Sequence, residues 1–124
     1  MKKIAALLLA FTLLSLMLVA CGEDRTYSCV DGDQAKGNYA ETIYVFSGDN
    51  VTKTIKVFVA GKSFATTSFR GTYDIMTKDG AKEITFTMYD LDGTKSDLHS
   101  ITAPYIEASD GTYISIGGVN YKRQ

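Results

Sequence analysis

The sequence predicts an all-β domain, an antiparallel meander of about eight short strands that forms a small barrel or an open roll, preceded by a signal-peptide helix. From residue 27 onward there is no apolar pattern at helical spacing longer than one turn. β-Branched and aromatic residues dominate there, and Gly, Asp and Asn recur at short intervals, which is typical of short strands joined by turns. Because no helix is available to cover a sheet face, we expect the sheet to close or fold over.

Each strand is predicted where apolar and polar residues alternate between two turn signals, most clearly over 84–89. The polar segment 31–38 is expected to be a loop. Gly71 is expected to mark a bulge or kink, and Pro104 an edge strand or a bulged strand. In chain order the predicted strands are 27–30, 42–47, 51–60, 63–75, 84–89, 98–106, 113–116 and 119–122.

The alternation also assigns an inward face of medium to large apolar side chains. Such side chains would nearly fill a short barrel, so we expect ligands to bind at its mouth or on its outer surface. The inward set is Ile43, Val45, Ile55, Val57, Val59, Ile84, Phe86, Met88, Ile114 and Ile116. Aromatic residues on the opposite face are candidates for a binding surface, with ordinary barrel packing as the alternative. They are Tyr44, Phe46, Phe58 and Tyr89.

The N-terminus has the pattern of a secretory signal peptide, with two lysines followed by the uncharged run 4–20. On length alone this run also reaches the lower limit for a membrane-spanning helix. The residues Leu18-Val19-Ala20-Cys21 resemble the lipobox of bacterial lipoproteins. That resemblance implies cleavage after Ala20 and a diacylglyceryl group with palmitate-type acyl chains on Cys21. It also implies anchoring to the extracytoplasmic face of the cell membrane.

With this cleavage, the chain divides into three parts. Residues 1–20 are the signal peptide, 21–26 the lipidated cysteine and a tether, and 27–124 the β domain. A disulfide between Cys21 and Cys29 is conceivable in an exported protein, but a lipid thioether on Cys21 would leave Cys29 as a lone thiol. We expect that thiol to be buried in the first strand and slow to react.

Three segments resemble the lipocalin-like, calycin-type domains found in many bacterial lipoproteins. They are Gly71–Ile75, Glu83–Thr87 and Gly111–Lys122, and the resemblance covers residues 37–123. It implies an eight-stranded meander barrel or an open version of it. It implies no single ligand.

The residues that could carry chemistry are few. The net charge of −1 includes no basic cluster, which argues against a nucleic-acid partner. One histidine, His99, and one free thiol cannot supply a zinc site, and we expect His99 to be exposed on a strand. The segment 90–94 has only a superficial likeness to a calcium loop and is expected to be a turn. The sequence therefore predicts no catalytic residue, no metal and no cofactor.

These observations favour a lipid-anchored, non-enzymatic binding module of the cell envelope. Its partner would be a small apolar ligand, a glycan or an envelope protein, in addition to the membrane that holds its lipid. The alternative is an envelope interaction or inhibitor protein that acts on another protein. The residues Tyr27-Ser28-Cys29 resemble the start of lipoprotein lysozyme inhibitors, which have a second mature cysteine that this chain lacks.

Overall fold

The computed structural model describes residues 24–124, which form eight antiparallel strands in meander order, closed into a barrel. The predicted fold class is confirmed, with closure rather than an open roll. The predicted signal peptide and Cys21 lie outside the described residues. The strands are β1 (Arg25–Asp33), β2 (Asn38–Ser47), β3 (Asn50–Val59), β4 (Lys62–Lys78), β5 (Ala81–Tyr89), β6 (Thr102–Glu107), β7 (Tyr113–Ile116) and β8 (Val119–Arg123). Over the described part of the chain, no helix has the length and apolar character needed to cross a membrane.

The meander gives the barrel two distinct ends. β1 pairs with β8 through Tyr27 with Arg123 and Ser28 with Lys122, so both ends of the described chain lie at one end of the barrel, the lower end. The turns after β2, β4 and β6 are also at the lower end. The upper end has the turns after β1, β3 and β7 and the long β5–β6 loop, residues 90–101.

Several strand boundaries differ from the prediction. The segment 31–38 is not a loop, because the β1–β2 ladder continues to Asp33 opposite Asn38 and leaves only 34–37 as the turn. Its polar residues suit a strand here because this part of β1 is exposed to solvent. β1 also begins at Arg25, inside the predicted tether. Residues 98–101 belong to the β5–β6 loop instead of to β6.

The barrel core confirms half of the predicted inward set: Ile84, Phe86, Met88, Ile114 and Ile116 are buried. For β2 the predicted face is wrong, because Tyr44 and Phe46 point inward and Ile43 and Val45 lie on the outer face, half-buried. Both faces of β2 are apolar, so alternation alone could not choose between them. The larger aromatic pair fills the interior, where Tyr44 stacks on Phe86 at 5.4 Å between ring centroids.

In β3 the predicted inward face is right, but its side chains are less buried than predicted. Ile55 and Val57 share the inner face with Val51, which is buried, yet they are only half-buried, and Val59 is exposed. The reason is that the upper part of β3 extends beyond the strands that would cover it.

The predicted irregularities in the sheet also lie elsewhere. The β3–β4 register shifts between Val57 and Phe58, whereas Gly71 stays in register with both neighbouring strands. Gly71 is required for close approach, because a Cβ at this position would overlap the backbone carbonyl oxygen of Thr87. Pro104 lies in β6 between β5 and β7, so β6 is not an edge strand.

Candidate binding site at the upper mouth

Four strands extend above the closed part of the barrel and form what we call the upper sheet, residues 29–33, 38–43, 54–59 and 62–69. The β4–β5 ladder stops at Arg70 opposite Tyr89, and the β1–β8 ladder stops at Ser28. Within the described residues, the ladders of the upper sheet therefore connect only its own four strands. Its inner face and the β5–β6 loop lie at the same end of the barrel, and we call the region between them the upper mouth.

The inner face of the upper sheet is apolar along β3 and accessible along β4. Ile55 and Val57 of β3 are half-buried, and their register partners on β4, Thr67 and Ala65, are exposed. Register partners in a ladder project from the same face of the sheet. A ligand could therefore lie along β3 and β4 in contact with apolar side chains.

At the base of the upper mouth, Lys53 projects into the barrel. It lies two residues from buried Val51 and is the register partner of buried Tyr44, so it shares their inward face. The Lys53 Nζ lies 5.4 Å from the centroid of the Tyr44 ring, within range of a cation–π interaction. Lys53 is half-buried, which removes much of the water around its ammonium group.

His99 reaches Lys53 from the β5–β6 loop. The His99 Nδ1 lies 3.2 Å from Lys53 Nζ, and the imidazole lies on the Phe69 ring with centroids 4.0 Å apart. Phe69 is the β4 register partner of Lys53. His99 is half-buried in a loop, so the expected exposed strand position is wrong.

The β5–β6 loop is attached to β5 by hydrogen bonds that continue past the end of β6. Ser96 N donates to the Met88 carbonyl oxygen at 2.8 Å, and Met88 N donates to Ser100 Oγ at 2.9 Å. Phe86 N donates to the Ile101 carbonyl oxygen at 2.8 Å. These bonds fix the segment that carries His99.

The pKa values of Lys53 and His99 are both lowered, because the two side chains are half-buried and face no negative charge from residues 24–124. Burial lowers the pKa of Lys53, and no carboxylate of the described chain offsets that effect. The pKa of His99 is lowered first by burial and then by the nearby Lys53 charge. A neutral imidazole beside an ammonium group accepts at Nδ1, which places the ring proton of His99 on Nε2.

Beside this pair, the barrel interior contains Tyr44, Tyr121 and the Cys29 thiol. Tyr44 and Tyr121 meet edge to face at 5.1 Å between centroids. The pKa of Tyr44 is raised, chiefly by burial. Burial also raises the pKa of Tyr121, and Cys29 adds to the effect. Cys29 lies in β1 as predicted but is half-buried, and it lies near Tyr121.

The predicted aromatic binding surface is not a single surface. Tyr44 and Phe46 are 2% and 3% exposed and belong to the core, so their assignment to an outer face is wrong. Phe58 is half-buried and stacks on Tyr39 at 4.5 Å. Tyr89 is 41% exposed and lines an open outer groove of about 410 Å³ that also includes Arg70.

Sequence reasoning missed Lys53 and Phe69 and interpreted His99 differently. The signal for Lys53 was present, because it interrupts an otherwise apolar series on one face of β3, with Val51 before it and Ile55 and Val57 after it. A charged residue at a core-facing position is an error unless it has a function. No local pattern indicated that His99 would meet Lys53, because their contact depends on the path of the β5–β6 loop.

The predicted turn over 90–94 is confirmed, with the Thr94 N donating to the carboxylates of Asp90 and Asp92. Within residues 24–124, no group of three or more His, Cys, Asp or Glu side chains is arranged to hold a metal ion. No protein-family model matches the chain, and searches of curated proteins and of solved structures also gave no match.

Proposed function

We propose that the protein is a lipid-anchored, non-enzymatic binding module of the cell envelope, and that its binding site is the upper mouth. The lipocalin-like resemblance and the lipobox of the sequence support the class of protein. The observation that carries the site is the uncovered inner face of the upper sheet. Apolar side chains there are accessible to a ligand, whereas the interior below them is filled by buried aromatic and aliphatic side chains.

The topology supports an orientation relative to the membrane. Arg25, the first residue of β1, lies at the lower end of the barrel, four residues after Cys21. A lipid on Cys21 would therefore hold the lower end near the membrane. The upper mouth would face away from it, accessible to molecules in the envelope.

The test is a search for small molecules that co-purify with the full-length protein from its native membranes, by mass spectrometry of the denatured sample. Thr67→Trp places a large side chain on the inner face of the upper sheet, and we expect it to remove the bound compound. Thr66→Trp is the matched control, because Thr66 is exposed on the outer face of the same strand. A compound retained equally by both variants, or none in any sample, would contradict the proposal.

A second candidate, docking of an envelope protein, is favoured by the apolar rim of the upper mouth. The three most exposed large apolar side chains of the described residues belong to segments at the upper end of the barrel: Phe64 beside the β3–β4 turn and Leu91 and Leu98 in the β5–β6 loop, at 76%, 70% and 79% exposure. Exposed apolar side chains that cluster around an opening are typical of interaction surfaces. Replacing all three by Ser would then abolish cross-linking to the partner and leave the co-purifying small molecule unchanged.

A further inference from the structure

We infer that the upper mouth takes a small organic anion with an apolar body, with the anionic group held by Lys53 and the body lying along β3 and β4. This inference rests on the proposed function, because it names the ligand class of the same site. It is carried by the position of an ammonium group without a counter-charge at the base of an accessible apolar surface.

The ammonium group of Lys53 has hydrogen-bond donors that the described residues leave unused. Lys53 has three N–H donors and uses one on His99 Nδ1 at 3.2 Å. Residues 24–124 offer the other two no acceptor within hydrogen-bond distance. The ring proton of His99, on Nε2, is a further donor at the same place. An oxyanion would satisfy donors that water alone serves only in part, because the group is half-buried.

The side chains that surround Lys53 at the upper mouth are mostly aromatic or aliphatic. The Phe69 ring and the His99 imidazole, tilted by 33° with centroids 4.0 Å apart, form an aromatic side at the base, and the buried Tyr44 ring lies 5.4 Å from Lys53 Nζ. Above them, Ile55 and Val57 continue the apolar side on β3. Asp31 and Asp33 lie at the far edge of the same inner face, on β1, where their negative charges disfavour a second anionic group. These walls suit a ligand with one charged end and one apolar part.

A purely architectural role does not account for the ammonium group of Lys53. Burying a charge is costly unless it is paired, and neither the hydrogen bond to a neutral imidazole nor the contact with the Tyr44 ring supplies a negative charge. If Lys53 served only to hold the β5–β6 loop, the loop's own hydrogen bonds to β5 would already do so. An apolar side chain of similar length would then fill the position at lower cost. A ligand anion supplies the missing counter-charge.

The experiment compares two probes of nearly equal shape, para-(trifluoromethyl)benzenesulfonate and the corresponding neutral sulfonamide. Their affinities for the full-length protein in phosphatidylcholine nanodiscs are measured by ligand-observed fluorine NMR, with empty nanodiscs as the blank. Lys53→Met retains the length and apolar stem of the side chain. Lys56→Met is the matched control, because Lys56 projects from the outer face of the same strand.

We expect the sulfonate to bind more tightly than the sulfonamide, and Lys53→Met to weaken the sulfonate by about tenfold or more. A hydrogen bond to a charged group is worth at least about that factor. Lys53→Met should leave the affinity for the sulfonamide unchanged, Lys56→Met should change the affinity for neither probe, and Thr67→Trp should weaken the binding of both.

Equal affinities for the two probes, or a sulfonate affinity that Lys53→Met does not change, would overturn the anion inference. If Thr67→Trp still weakened both probes in that case, the proposed site would stand. If neither probe bound in a saturable way, the inference and the proposed site would both fail.

Discussion

At the scale of single residues, the molecule depends on which side chains point into the barrel. Lys53 and Phe86 both point inward from the middle of a strand, yet one is an ammonium group and the other an aromatic ring in the core. For Phe86 the alternation of β5 was sufficient evidence, because its outward neighbours are all polar or tyrosine. For Lys53 the same period was present, but the charge argued against an inward position. Lys53, the charged exception among the inward side chains of β3, is the residue at the candidate site.

His99 should make the stability of the barrel depend on pH near neutrality. Its pKa in the folded state is lowered by burial and by Lys53, so the unfolded chain binds more protons below about pH 6.5, the ordinary His value. Stability is therefore expected to fall as the pH is lowered through that value. The measurement is the change in melting temperature from pH 7.5 to 5.5, compared with the change in His99→Gln. A fall of the same size in the variant would show that other groups cause it.

Phe86 should be among the most sensitive core positions. It is 2% exposed and packs against Tyr44 and Phe46, so Phe86→Ala leaves a cavity and should cost about 3–5 kcal/mol in the free energy of unfolding. Thr87→Ala, on the opposite face of β5, should cost much less. Urea unfolding of the two variants compares them directly. Equal costs would mean that the outer face of β5 is covered as well.

At the scale of the strands, the sequence predicted where strands exist better than which face of each is buried. All eight predicted strands are present. β5 and β7 were assigned correctly because aliphatic residues, methionine and phenylalanine occupy one face and polar residues or tyrosine the other. The inward face of β2 was assigned wrongly because both of its faces are apolar, with Ile43 and Val45 on one and Tyr44 and Phe46 on the other. Only packing against the rest of the barrel decides which face is buried. The upper sheet was not foreseen because strand stagger depends on the lengths of neighbouring strands.

Gly71 should be essential for the pairing of β4 with β5. A Cβ at this position would overlap the carbonyl oxygen of Thr87, and backbone on both sides prevents it from moving away. Gly71→Ala is expected to cost about 3 kcal/mol or more, at or above the upper end of overpacking costs. Thr72→Ala, at the next and exposed position, is the control. A Gly71→Ala protein with an unchanged urea midpoint would contradict the close approach.

At the scale of the whole molecule, the barrel has a lower end at which β1 begins and an upper mouth where apolar side chains are accessible. The fold class and meander order followed from short connections and the lack of helical patterning. The site did not, because Lys53, Phe69 and His99 come from three separate elements. Residues far apart in sequence meet at one site only when the barrel closes, so no local sequence pattern predicts that they will be in contact.

The proposed anchoring can be tested separately from the site. Metabolic labelling with a fatty-acid analogue should mark the wild-type protein and not the Cys21→Ala variant, which should also stay uncleaved at residue 20. Cys29→Ala is the control and should be labelled normally. Label on the Cys21→Ala protein would show that the resemblance to a lipobox is misleading.

The most direct measurement of the central claim is the NMR response of individual lysines to the sulfonate probe. In full-length protein labelled with ¹⁵N-lysine, we expect a saturable shift of the Lys53 amide resonance. The Lys78 and Lys82 resonances should stay in place, because these residues lie at the lower end of the barrel. Lys53→Met identifies the resonance by its loss. A saturable shift at Lys78 or Lys82 with none at Lys53 would contradict the assignment of the upper mouth as the binding site.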